Sequence, residues 1–259
     1  MDTNNGKVMN YPKGFSLVEL SIVLVVIGIL VGIVTAGVTI QKTSELRSII
    51  SQVEQLKIAV EAFDDKYEDL PGDMSDAHDY WDDGANGVCG TAAQCNGNGD
   101  GDIDIGSGDD SESLRAWQHL NLSGIIDGEF TGTGTGTTHI PFENTPGTSR
   151  TGGGYGIKSL NQDNANMDNV HQVNGTNISV GGFDSASWPR GKLLSPPEAY
   201  YIDNKTDDGD PDDGKTQSRD YHNGSSWQNG CLNDDVDDGN RQYVKTTEDN
   251  VCIMFFDIR

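Results

Sequence analysis

One stretch constrains this chain more than any other. From Phe15 to Val34, twenty residues carry a single charge, Glu19. In helical form that length crosses a bilayer core of about 30 Å. The pattern then continues: Leu46, Ile49, Ile50, Val53, Leu56, Val60, Phe63 and Tyr67 follow at helical spacing. No proline occurs between Pro12 and Pro71. A continuous helix over 15–67 measures roughly 80 Å, at about 1.5 Å per residue. It is apolar all round in its first half and amphipathic in its second, so the halves need different surroundings. The first belongs in a bilayer or the dry centre of an assembly, and the second against its own globular domain.

A secretory signal peptide has an apolar region of about 7–15 residues and then a small-residue cleavage site. Here the run is longer, although Val34-Thr35-Ala36 imitates such a site, and helical spacing continues past it. Lys13-Gly14-Phe15-Ser16-Leu17-Val18-Glu19-Leu20 resembles the processing site of type IV prepilins and type II secretion pseudopilins. The resemblance implies a leader over 1–14, cleavage by a prepilin peptidase after Gly14, and methylation of the new N-terminal Phe15. It maps the family's glutamate at the fifth mature position onto Glu19. Family members carry a helix-loosening proline in the apolar half, which is absent here. Gly28, Gly32 and Gly37 stand in its place, each weakening a helix interior by about 1 kcal/mol. Gly28 and Gly32 also form a G-x-x-x-G spacing that permits close helix approach.

A lone carboxylate in an apolar helix is costly and normally has a partner. Glu19 therefore either sits hydrated at the membrane interface or pairs with the freed α-amino group of a neighbouring subunit's Phe15.

The 259 residues hold 17 Lys+Arg against 41 Asp+Glu, a formal charge of −24. That balance excludes a nucleic-acid partner, because phosphate neutralisation needs clustered basic residues. It also disfavours a polybasic membrane-surface module. Outside the apolar run the chain is poor in core-forming residues, so staples are expected. Four cysteines in two local pairs allow three connectivities. The nearest-neighbour set, Cys89–Cys95 and Cys231–Cys252, is the most economical. Neither pair has C-x-x-C spacing and no histidine lies close, which disfavours zinc.

Pro71-Gly72 ends the long helix. A short helix is expected over 73–81 and a clearer one from Ser111 to Asn121, with Leu114, Trp117 and Leu120 facing inward. Ser195-Pro196-Pro197-Glu198 reads as a capping box before a helix to about Asn204. Strands are expected at Tyr155–Leu160, Val170–Val173, Asn177–Val180, Gln242–Lys245 and Val251–Ile258. Residues 131–154 read as a loop. The fold class is α+β: a long N-terminal helix packed on a small antiparallel sheet, with a loop-rich, disulfide-stapled C-terminal part. Four segments follow: leader 1–14, apolar helix half 15–40, amphipathic half 41–69, and a globular domain 70–259. Leu70-Pro71-Gly72-Asp73 and the stretch 199–211 also resemble a less characterised group of bacterial prepilin-like proteins.

Asn96, Asn98, Asp100, Asp102 and Asp104 place oxygen side chains at alternate positions, with Gly101 sixth and Ile103 eighth. The run resembles the first nine positions of an EF-hand calcium loop. Asn96 is neutral where Asp is usual, and the twelfth position is Ser107; Asp109, Asp110 or Glu112 is then the expected last ligand. Pseudopilins hold calcium in a loop of the C-terminal sheet region, which makes Asp203, Asp207, Asp208 and Asp210 a second candidate set. The acidic run 233–240 reads as a solvated loop.

No catalytic constellation occurs. The five histidines show no metal-ligand spacing and are expected on the surface, and neither Gly-x-Ser-x-Gly nor a Walker loop is present. The resulting expectation is a filament subunit of a type IV pilus or related assembly. It would be a precursor in the inner membrane and then a homo-oligomer at the cell surface, handled by prepilin peptidase and the inner-membrane assembly machinery. The alternatives are a type II secretion pseudopilin and a membrane-tethered calcium-binding adhesin.

Overall fold

The apolar spacing forms one helix, α1, Leu17–Tyr67. The computed structural model describes residues 14–82, 84, 87–105, 111–133, 139–160, 175–183, 188–221, 228–233 and 241–258, excluding the side chains of 34–39. Its contacts divide the chain into two units, Met1–Ser44 and Glu45–Arg259, so the division falls inside α1.

In the first unit every described Leu, Ile and Val side chain from Leu17 to Ile33 is between 48% and 86% exposed. Among the described residues no helix is long and apolar enough to cross a membrane. The described side chains of the apolar run stop at Ile33, short of the sequence's own limit at Val34.

In the second unit, Leu46, Ile49, Val53, Leu56, Ala59, Val60 and Phe63 are buried at i, i+3, i+4 and i+7 positions. They join the core with Met74, Trp117, Tyr155, Ile157, Ile178, Val180, Met254 and Phe256. The helix ends at Tyr67, where Glu68 takes φ +58°; in the turn beyond it Gly72 takes φ +93°, and a Cβ there would lie 2.3 Å from the Glu112 carbonyl oxygen. No L side chain fits that position. Two short helices follow, α2 Ala77–Trp81 and α3 Ala92–Cys95. Helix α4, Glu112–Leu122, is buried on every side from Glu112 to Leu120.

Four strands, β1 Gly153–Leu160, β2 Gly175–Gly182, β3 Thr216–Asp220 and β4 Cys252–Asp257, form a sheet of order β1-β2-β4-β3. All its pairings are antiparallel. Register sets Tyr155 and Ile157 beside Val180 and Ile178, and these beside Met254 and Phe256. That face packs in the core with α1, and Tyr155 Oη donates to Gln52 Oε1 at 2.6 Å. The opposite face carries Leu160, Ile253 and Phe255 under Trp188, whose ring lies 5.6 Å from that of Phe255. Glycine is a poor strand former, but it is needed here: a Cβ on Gly181 would lie 2.3 Å from the Pro189 carbonyl oxygen.

Helix α5, Pro196–Thr206, starts with Ser195 N–H donating to Glu198 Oε2 at 3.0 Å. Disulfides join Cys89 to Cys95 and Cys231 to Cys252, all four cysteines being buried.

Two expectations need correction. Gln242–Lys245 is not a strand; Tyr243 makes an isolated bridge with Leu232, because Tyr243 turns its hydroxyl inward to Asp203 at 2.6 Å. β3, with the polar sequence TQSRD, carries no apolar alternation and was not expected. The strand expected at Val170–Val173 lies outside the described residues.

Candidate functional sites: the N-terminal segment and two acidic loops

Gly14 and Phe15, the expected processing residues, are exposed, Phe15 to 92%. Glu19 accepts the Ser16 amide on Oε2 at 2.8 Å, and Ser16 Oγ accepts the Val18 amide at 3.3 Å. Ser16-Leu17-Val18-Glu19 is therefore a variant of the capping box, with Ser16 Oγ taking the second helical amide in place of the third, and it closes two donors at the start of α1. The sequence expectation gave Glu19 an intersubunit role and missed this local one. The S-x-x-E spacing before an apolar run is the signal that carries it.

The 96–104 loop is held from outside by two buried carboxylates. Asp73, 0% exposed, accepts the amides of Gly99 (2.7 Å), Asp100 (3.1 Å) and Gly101 (2.8 Å). Glu112, 3% exposed, accepts those of Asn98 and Asp104, each at 2.9 Å. Burial raises the Glu112 carboxyl above its ordinary range, against the two amide bonds that lower it. Several loop oxygens turn back on the backbone. Asn98 Oδ1 accepts the Asp100 amide at 2.8 Å, Asp100 Oδ1 accepts that of Asp102 at 3.0 Å, and Asn96 Oδ1 accepts that of His78 at 2.7 Å. Side chains bonding amides two residues on are turn-forming contacts. The carboxylates of Asp100, Asp102, Asp104 and Glu112 are not drawn into one compact group. Asp73 was not among the expected site residues, since one Asp after Pro-Gly gives no hint of three amides folding onto it.

The second loop is arranged differently. The carboxylates of Asp203, Asp207 and Asp208 lie within 4.8 Å of one another; Asp210 is outside that group. Asp203 belongs to the last turns of α5 and is fully buried. Its Oδ2 accepts from Tyr243 Oη, and its Oδ1 accepts the Gly209 amide at 3.2 Å. Burial pushes its pKa up to about 7, Asp208 and Asp207 adding repulsion. Asp207 Oδ2 accepts the amides of Lys215 and Thr216, and Asp208 Oδ1 accepts that of Asp210 at 2.8 Å. Three oxygen donors on one side of a helix end suit a hard cation by type.

The histidines correct the surface expectation. His119 and His139 are 0% and 1% exposed. His119 Nδ1 accepts the Gly72 amide at 2.9 Å, so its Nε2–H donates to the Cys95 carbonyl at 2.7 Å. Burial lowers its pKa to about 4, and the neutral ring bolts the turn after α1 to the first disulfide. His139 Nε2 lies 3.0 Å from Ser113 Oγ. His78 is half-buried, its Nδ1 2.8 Å from the Cys89 carbonyl. His171 and His222 lie outside the described residues, as does nearly all of 233–240.

No curated protein and no solved structure matches the chain. Residues 9–35 match the prokaryotic N-terminal methylation motif. This is the type IV prepilin and pseudopilin signal.

Proposed function

We propose that the chain is a structural subunit of a type IV pilus or pilus-like filament. It is made as an inner-membrane precursor with the sequence-defined apolar run, 15–40, in the bilayer. Prepilin peptidase cuts after Gly14, and assembly exchanges lipid for neighbouring α1 helices. The observation that supports this best is a single helix whose first part buries none of its described large apolar side chains while its second part anchors a folded domain. An all-round apolar surface has no place in water and needs neighbours on every side. Glu19 is the one charged residue in that run. It passes from the Ser16 amide in the precursor to the Phe15 amine of a neighbouring subunit in the filament, setting axial register.

Sheared surface fibres containing this chain, with a mature N-terminus at Phe15 by intact mass, are the expected result. Recovery only in a secretion complex favours the pseudopilin alternative, and a mature chain beginning at Gly37 overturns both. Glu19→Ala should block assembly while leaving insertion intact, since removing a charge from an apolar helix does not disfavour insertion. Normal filaments from that variant remove the register role.

Calcium is the second part of the proposal, and the adhesin alternative draws on it. The convergence of Asp203, Asp207 and Asp208 favours that loop over 96–104, where Asn96, Asn98, Asp100, Asp102 and Asp104 remain the rival ligand set. Calcium at one hundred times its dissociation constant should stabilise the protein by about 2.7 kcal/mol. Magnesium should do less, because it demands a tighter octahedral shell. Asp207→Asn should remove the calcium-specific gain, whereas Asp100→Asn should do so if the first loop is the site. Equal shifts in calcium, magnesium and ionic-strength-matched sodium chloride leave charge screening alone as the cause.

A further inference from the structure

We propose that Arg150 is a latch fixing the residue at which the folded domain takes hold of α1, and that its release undocks the helix from Glu45 to Ser48. Its use in a filament rests on the function proposed above; its geometry lies wholly within the Glu45–Arg259 unit. Arg150 stands on the turn leading into β1. Its amide donates to Thr148 Oγ1 at 3.2 Å, and its carbonyl accepts from Thr148 Oγ1 at 2.9 Å and from the Gly153 amide at 3.1 Å. The backbone is thus fixed before the side chain reaches out.

The guanidinium joins three elements. Nη1 donates to the Leu193 carbonyl at 2.9 Å and to Glu198 Oε2 at 2.7 Å, while Nη2 donates to Glu198 Oε1 at 2.8 Å. Nη2 also lies 3.6 Å from Glu45 Oε2 on α1. The paired bonds to Glu198 are the planar fork that arginine makes and lysine cannot. Glu198 is itself tied to the Ser195 amide at the start of α5, so the fork is held from both sides. The side chains of Arg150, Glu198 and Glu45 are 14%, 13% and 26% exposed. Such partial shelter makes an ion pair stronger than a fully solvated one.

The latch closes at a decisive position. Glu45 is the first residue of the folded unit, and among the described side chains Leu46 is the first buried apolar residue of α1, followed by Ile49. With the ion pair gone, Leu46 is the buried apolar side chain left in that turn among the described residues, and the docking boundary moves to Ile49. One helical turn, about 5.4 Å, is thereby released from the domain. In a filament this is a reversible reserve of length within each subunit.

Amide hydrogen exchange on the full, unassembled chain in detergent micelles tests the latch separately from filament formation. Glu45→Gln should accelerate exchange of amides 46–50 about two- to fivefold, with α5 and β1 unchanged. Arg150→Lys, which keeps the charge and loses the fork, should accelerate both 46–50 and the first turn of α5. Unchanged exchange at 46–50 in Glu45→Gln overturns the proposal. So does uniform acceleration across the unit, which would make the contact one of general stability. If the chain forms no filaments yet 46–50 respond as expected, the latch stands and the filament reading falls.

Discussion

Two parts of one helix behave as opposites. From Leu17 to Ile33 every described large apolar side chain is at least 48% exposed, whereas seven apolar side chains between Leu46 and Phe63 are at most 8% exposed. Helix formation does not distinguish them, since α1 runs through both. Pattern does. A one-faced stripe can be covered by one domain, while an all-round apolar surface needs neighbours on every side. The domain that covers the stripe is modest in apolar content and adds disulfides, a buried histidine and organised turns to secure it.

The contrast breaks most directly by truncating one side chain in each part. Phe63→Ala should cost about 3–5 kcal/mol in urea unfolding, as for a large core truncation. Ile29→Ala in the detergent-solubilised chain should stay within about 0.5 kcal/mol. Comparable losses would mean that the first part also packs against its own domain.

The staples rank next. Replacing Cys231 and Cys252 by serine should cost about 3 kcal/mol, and replacing Cys89 and Cys95 about 2 kcal/mol, because the second bridge closes the longer loop in the chain-entropy model. Unfolding midpoints under oxidising conditions check the order; a reversed order would show that native packing around Cys89–Cys95 outweighs loop length.

Acid should act through His119 on a similar scale. Its folded pKa of about 4 lies below the ordinary 6.5, so the unfolded chain takes the proton first. Stability is whole above pH 6.5 and falls as pH drops towards 4, by about 3 kcal/mol in all. Asp203 runs the other way, since its folded pKa is raised from 3.8 to about 7. Its contribution is present below pH 3.8 and is lost as pH rises through 7. Imidazole resonances followed by NMR should show His119 still neutral at pH 5; ordinary titration near 6.5 would contradict its burial. In the presence of a chelator, Asp203→Asn should flatten the decline towards pH 7.

The smallest effect belongs to the cap. Ser16→Ala should weaken the first turn of α1 by about 1 kcal/mol, visible as faster exchange at 17–20 with no change in the domain's midpoint. A shifted midpoint would couple the two parts of α1 more tightly than the contrast allows.

The sequence by itself determined the long helix, its change of character, the leader motif and the α+β class. These are written in local periodicity and in short motifs such as Lys13-Gly14-Phe15, which need no distant partner to be read. The capping box at Ser195 was legible for the same reason, and the one at Ser16 was legible but overshadowed by the apolar run. Tertiary structure alone decided the rest. β3 is a strand because β4 offers it a pairing edge and Tyr243 meets Ser218 at 2.8 Å, not because TQSRD prefers one. Asp73 becomes the organiser of the 96–104 loop because Gly72 lets the chain approach Glu112 closely enough to bring it there. Asp203, Asp207 and Asp208 become a group only when the end of α5 and the following turn fold onto one another. Alternation in sequence sets which way side chains point, while convergence in space depends on contacts between segments that the sequence keeps apart.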